Sequence, residues 1–324
     1  DRVGRKKTLV VALMMMGVAT TLIGFLPTYQ SIGVMAPLLL VVLRFVQGLA
    51  IGGQWGGAML LVTESAPKDQ RGWYGAYAQA GAPVGVILAN LAFLGVSASL
   101  SEADFMDWGW RLPFIASFVL ILISMYVQLK LEDTPAFKAL AANQAPKDTA
   151  QQTVVKSPIV EVLRRYPKRI VLAAGAFLSI QVTFYILIAF VVAYGVNSPT
   201  VTLSRDMMLT AVLVAAAIMV PSQFYFSGLS DRLGRKTVYR WGAILTGLWG
   251  FALFPLIDTG QPVLICFAVT MGLVFLGMQY GPQAAFFTEL FSTEVRYSGA
   301  SLGYQLGAIV GGALAPTIAV LLWN

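Results

Sequence analysis

The chain has 324 residues, of which 57% are hydrophobic and only 11% charged, with a net charge of +7, no histidine and one cysteine, Cys266. A soluble domain carries roughly a quarter of its residues charged, so this composition excludes an ordinary water-soluble fold. The lack of histidine excludes a His-ligated metal and a Ser-His-Asp triad, and a single cysteine excludes a disulfide framework.

Apolar runs of about twenty residues recur along the chain, each long enough to cross a bilayer as a helix. Alternating strands of the outer-membrane barrel type are absent. The expected fold class is therefore an all-α polytopic membrane protein. Spans are expected at 8–27, 37–65, 73–97, 111–130, 169–195, 207–229, 238–257, 262–288 and 298–322. Basic loops alternate with acidic ones. Arg2, Arg5, Lys6 and Lys7 precede the first span, Lys68 and Arg71 follow the second, and Arg232, Arg235, Lys236 and Arg240 follow the sixth. The opposite loops hold Glu102, Asp104, Asp107 and Asp258. The bias of Lys and Arg toward the inside puts the basic loops in the cytoplasm, and a multi-pass place in the plasma membrane is expected. The positive charge thus serves topology and anionic headgroups, and no nucleic-acid partner is expected.

Three segments follow: an N-terminal bundle over 1–130, a polar linker over 131–168 and a C-terminal bundle over 169–324. Within the linker, Pro158 to Arg165 reads as a short amphipathic helix, with Ser157 as its N-cap and Pro158 in the first helical position.

The two bundles are related by an internal repeat. Asp1-Arg2-Val3-Gly4-Arg5-Lys6 matches Asp231-Arg232-Leu233-Gly234-Arg235-Lys236. At a constant offset of 225 residues, Gly52 matches Gly277, Gln54 matches Gln279, Trp55 matches Tyr280, Glu64 matches Glu289 and Arg71 matches Arg296. Asp1, Arg2, Gly4, Arg5, Glu64 and Arg71 in one half, and Asp231, Arg232, Gly234, Arg235, Glu289 and Arg296 in the other, are expected to form a cytoplasmic gate of charge pairs. Simple anchoring at the headgroups is the bland alternative. Exposed pairs are weak, about 0–1 kcal/mol each, which suits contacts that must make and break.

Arg44 is the sharpest single signal, a cation inside an apolar span. It either snorkels or braces a neighbouring helix, or it faces a polar cavity and meets an anionic substrate or a coupling carboxylate; the second is the stronger reading. Gln47 and Trp55 share its helical face, with Gln54 close by. With Gln79, Gln181, Gln279, Tyr280 and Gln305 they are the candidate substrate-binding residues, near the interface of the repeats. For any one of these glutamines alone, a hydrogen bond to a neighbouring helix is the simpler role.

These residues resemble the major facilitator superfamily, and within it the metabolite:proton symporters of shikimate, 2-oxoglutarate, citrate, or proline and betaine. The resemblance rests on the duplicated Asp-Arg-x-Gly-Arg-Lys loops, Arg44-Phe45-Val46-Gln47-Gly48, Gly52-Gly53-Gln54-Trp55-Gly56-Gly57, Glu64 with Arg71, Trp110-Arg111-Leu112-Pro113-Phe114, and Glu289 through Arg296. It implies twelve spans in two six-helix, pseudo-symmetric bundles, so that two spans are expected before residue 1 and one after Asn324. Residues 1–324 alone are then expected not to transport. It also implies that Arg44 is tied to proton coupling. The family often has Glu where this chain has Gln54, which weakens the case for a proton-carrying role at that position.

The function expected is proton-coupled import of a small organic acid, such as shikimate or a dicarboxylate, by alternating access. A proline/betaine-type osmolyte symporter is the alternative, and a non-transporting membrane sensor is the reading from another class. The expected partners are a small-molecule substrate, protons and membrane lipid, acting on a monomer. No cofactor, metal or enzymatic activity is expected.

Overall fold

The computed structural model describes residues 5–130, 158–198, 201, 203–292 and 295–323, and among these every regular element is helical. The long helices are α1 (Arg5–Gly24), α2 (Met35–Ser65), α3 (Arg71–Ser99), α4 (Leu112–Lys130), the short α5 (Pro158–Arg165), α6 (Pro167–Asn197), α7 (Arg205–Leu233), α8 (Arg235–Asp258), α9 (Pro262–Glu289) and α10 (Arg296–Leu322). Eight of them are long and apolar enough to cross a membrane, and Leu9–Gly24 is a shorter apolar helix. Each of the nine expected spans falls on one of these helices, with ends shifted by a few residues. Asp1, Arg2 and Gly4, expected in the gate, and most of the linker lie outside the described residues; Arg5 opens α1.

Two helices contain a π-helical turn, Ile186–Phe190 in α6 and Ile309–Leu314 in α10. A π-turn adds one residue without changing the hydrophobic pattern enough to be read from it. Single turns also form at Tyr29–Ile32 and Glu102–Asp107, the latter capped by Ser101, whose hydroxyl accepts from the Asp104 amide.

The chain divides into two compact units. The first comprises residues 1–61 and 88–153; the second comprises 62–87 and 154–324. In the first unit α1 packs along α4. Gly17 lies against Ile121, and Gly24 against Ile115 and Phe114. Gly57 of α2 lies against Leu9 of α1.

In the second unit α9 is the central helix, packed against both α7 and α8. Gly277 and Gly281 make the α7 approach possible: a methyl group on Gly281 would strike Ser227 Oγ and sit 2.7 Å from the Gln223 carbonyl oxygen. Small residues at every fourth position let helix backbones meet closely in lipid, where apolar burial gives no drive of its own. The same device joins α10 to α6, with Gly303 on Ala173, Gly307 on the Ala174 carbonyl and Gly311 on Gln181. By contrast Gly48, Gly81 and Gly85 have no such neighbour within 4 Å among the described residues. The short helix α5 is amphipathic as expected, with Val162 fully buried and Val160 and Leu163 outward.

Candidate functional site

The polar cluster of the first unit is built on α2. Arg44 is exposed at its side chain, and its Nη1 donates to Gln47 Oε1 at 3.2 Å, the i to i+3 reach of one helix face. Gln47 is buried, and its Nε2 donates across to Thr20 Oγ1 of α1 at 2.7 Å. Thr20 in turn donates to the Met16 carbonyl at 2.7 Å. The result is a directed relay, Arg44 to Gln47 to Thr20, in which the amide oxygen of Gln47 is committed to the cation. Thr20 carried no signal in the sequence, because its partner is 27 residues away. Trp55 is 8% exposed, and Gln54 is half-buried beside it.

The remaining candidate binding residues belong to the second unit. Gln79 is 1% exposed and donates to the Tyr280 carbonyl at 2.9 Å and to Gln283 Oε1 at 3.1 Å. Gln279 is fully buried and spans three helices: its Nε2 donates to Thr246 Oγ1 of α8 at 3.0 Å, and its Oε1 accepts from Ser179 Oγ of α6 at 3.1 Å. In this conformation it braces helices. Gln181 borders the π-turn of α10, next to Gly311 and Gly312. The buried Nε2 of Gln305 has no hydrogen-bond partner among the described residues, and the adjacent Tyr304 stacks on Phe177 with ring centroids 3.9 Å apart. Gln54 and Trp55 thus lie in the first unit, and their repeat partners Gln279 and Tyr280 in the second.

The charged cluster of the second unit centres on Asp231. Its Oδ1 accepts from the Gly72 amide and its Oδ2 from the Trp73 amide, both at 2.9 Å. These are the first turns of α3, so the carboxylate caps a helix N-terminus, where the unpaired amides and the helix dipole favour an anion. Arg235 lies 2.5 Å from Asp231 and 3.5 Å from Glu289, and also donates to Ser230 Oγ at 2.9 Å. Gly72 has to be glycine for this: a Cβ there would strike Arg235 Nη1 and sit 2.9 Å from Asp231 Oδ1. Gly234 has φ +89°, a value side chains rarely adopt, and so breaks α7 from α8.

A second pair closes the cluster, with Arg296 Nη1 3.3 Å from Glu64 Oε1. Arg296 Nε donates to the Phe291 carbonyl at 3.2 Å. Beneath the charges Trp73 and Tyr77 both meet the ring of Phe224 edge-on, with centroids 5.3 and 4.8 Å away. Arg71, expected to pair, keeps its Nε buried without an acceptor among the described residues, and Arg232 stays exposed. The part of the cluster that sequence reasoning missed is the pair of backbone amides holding Asp231. Main-chain donors exist at every residue and so leave no pattern.

This is the charge geometry of a duplicated loop motif locked onto a helix end, on a bundle of apolar helices. The family model of the Major Facilitator Superfamily matches residues 1–316. The chain belongs to the Major Facilitator Superfamily. It is a multi-pass transporter of the cytoplasmic membrane and not an enzyme.

The inner membrane metabolite transport protein YhjE of Escherichia coli K12 is 41% identical over 331 residues, covering 99% of this chain and 72% of the relative. The shikimate transporter of the same organism is 36% identical over 330 residues, with the same coverage of 99% and 72%. Its proline/betaine transporter is 31% identical over 326 residues, covering 99% of this chain and 64% of the relative. Among solved structures, the proton:xylose symporter XylE bound to 6-bromo-6-deoxy-D-glucose superposes with a TM-score of 0.76 at 16% identity, covering 100% of this chain and 75% of that one. At that identity the likeness concerns the fold alone.

Proposed function

We propose that this transporter imports a small organic acid, shikimate or a dicarboxylate, together with a proton, by alternating access. The observation that carries the reading is Arg44, a guanidinium set in an apolar helix and held, among the described residues, by Gln47 and not by a carboxylate. A cation at that depth is costly, and an anionic solute offsets the cost when it arrives. The shikimate transporter among the relatives supports the same substrate class. Arg44 then couples solute to proton, and Gln47, Gln54, Trp55, Gln79, Gln181, Gln279, Tyr280 and Gln305 line the path. Residues 1–130 and 169–324 act as the two rocking bundles, joined by 131–168. The Asp231, Arg235 and Glu289 cluster and the Glu64–Arg296 pair act as the cytoplasmic gate. Coupling requires that solute and proton bind the two orientations with unequal affinity.

The likeness to a proline/betaine transporter supports a second reading, in which the carboxylate of a zwitterion meets Arg44. Uptake of labelled shikimate into proteoliposomes that hold the full-length protein separates the two. Accumulation should collapse on adding a protonophore and in Arg44→Gln. Accumulation indifferent to the proton gradient sinks symport, and uptake of labelled betaine with none of shikimate selects the osmolyte reading.

A further inference from the structure

The second unit holds a cavity that the transport reading leaves unused. It has a volume of about 670 Å3 and opens between the starts of α6 and α8 and the end of α9. Arg169, Arg235 and Lys236 supply three cations to its wall, and Glu289 one carboxylate. Arg235 is already spent on Asp231 and Glu289. Arg169 has no acidic partner among the described residues: its Nη1 donates to the Leu290 carbonyl at 2.5 Å and its guanidinium lies 4.9 Å over the Tyr166 ring. Neither contact supplies a negative charge to the guanidinium. Lys236 is exposed and has no hydrogen bond or ion pair among the described residues.

The start of α8 adds to this. Its N-cap, Gly234, offers no side-chain cap, and its first turn holds no acidic residue. The helix therefore presents bare amides beside two unpaired cations, which is the combination that receives a phosphate oxygen. The other wall is apolar, made by Phe286, Leu290 and Leu172, the last 71% exposed. A small soluble anion needs no such wall; an acyl chain running from a headgroup does.

We propose that this cavity binds a phosphate ester, supplied by the headgroup of an anionic phospholipid of the cytoplasmic leaflet, with Arg169, Lys236 and the α8 amides on the phosphate and Leu172 along the acyl chain. The basic loops place the cavity at cytoplasmic headgroup depth, where such lipids are concentrated. Because Arg235 and Glu289 border both this cavity and the Asp231 cluster, an occupied cavity sits against the gate without belonging to it.

The test is native mass spectrometry of the intact protein in detergent, titrated with phosphatidylglycerol or phosphatidylcholine. Lys236→Gln is the primary variant, since Lys236 has no partner to lose among the described residues. Lys68→Gln, a basic loop residue outside the cavity, is the control. Phosphatidylglycerol should be retained over phosphatidylcholine, about fivefold more weakly in Lys236→Gln, and as in the unmodified protein in Lys68→Gln. Arg169→Gln combined with Lys236→Gln should abolish the preference. Equal retention of the two lipids, or a loss in Lys68→Gln matching that in Lys236→Gln, overturns the proposal. A parallel titration with inorganic phosphate distinguishes the source of the ester. Lys236-dependent binding of phosphate with no binding of phosphatidylglycerol would assign the cavity to a free phosphate and overturn the lipid occupant.

Discussion

Arg296 and Glu64 stand 232 positions apart in the chain, yet the Nη1 of one lies 3.3 Å from the Oε1 of the other. Both side chains are shielded, 18% and 4% exposed. The pair is therefore screened less than a surface ion pair, and removing one partner leaves the other's charge less compensated in a poor solvent. Glu64→Gln and Arg296→Gln should each lower stability, and the double variant should lose less than their sum. A coupling of roughly 1–3 kcal/mol is expected from a double-mutant cycle on thermal unfolding in detergent. Additivity within about 0.5 kcal/mol would show that the two do not act together.

Asp231 makes a different kind of closure, a carboxylate on the amides of Gly72 and Trp73. Replacing a capping acid by a residue without an acceptor costs about 1–2 kcal/mol. Asp231→Ala should therefore loosen the start of α3 from α7, and Asp231→Asn should do so less, because the amide oxygen still accepts. A cysteine at Ala284, which is fully buried, reports on the opening in a Cys266→Ala background. Its alkylation from the cytoplasmic side should rise in the order parent, Asn, Ala. The same rate in all three would show that Asp231 does not hold this contact shut.

What the sequence disclosed follows from the scale of each signal. Twenty-residue apolar runs fix a helix whatever its neighbours, so the spans were legible. The Arg44–Gln47 contact was legible too, because it lies within one helix face. Contacts set by tertiary approach were not. Thr20 beneath Gln47, and Ser179 and Thr246 on either side of Gln279, are unremarkable hydroxyls in apolar runs until helices meet. The π-turn at Ile309–Leu314 lies in a Gly-rich stretch whose composition suits an ordinary helix equally well. The repeat pointed to these charged residues as a set, but not to which would pair. Glu64 meets Arg296 and Arg235 meets Glu289, while Arg71 is left with an unsatisfied Nε.

Gly72→Ala should be far more damaging than Gly48→Ala, although both are glycines in apolar helices. A Cβ at Gly72 would strike Arg235 Nη1 and lie 2.7 Å from the Ser227 carbonyl, a backbone atom that cannot swing aside. A Cβ at Gly48 meets nothing within 4 Å. Overpacking of this kind costs about 1–3 kcal/mol, whereas alanine for glycine in a free helical position is worth up to about 1 kcal/mol in the helix's favour. Melting temperatures should separate accordingly, down for Gly72→Ala and level or up for Gly48→Ala. A tolerated Gly72→Ala would mean that α3 does not approach α7 as closely as the geometry has it.

Gln223 gives the opposite expectation, a substitution that improves stability. The residue is fully buried on α7, and both its Nε2 and Oε1 lack a hydrogen-bond partner among the described residues. Ser227 Oγ, one turn on, is buried and unpartnered as well. A buried amide with neither group satisfied costs about 1–3 kcal/mol, and an apolar residue of like shape removes that cost. Gln223→Leu should then raise the melting temperature in detergent. Ser227→Ala should act in the same direction by a smaller amount, since only one hydroxyl is relieved. If the transport cycle brings Gln223 a partner in another conformation, Gln223→Leu will stabilise the protein and slow turnover together, because the relieved strain then favours one orientation over the other. A fall in melting temperature would show instead that the amide is satisfied in the folded protein, by an ordered water, and that the polar pair belongs to the resting structure.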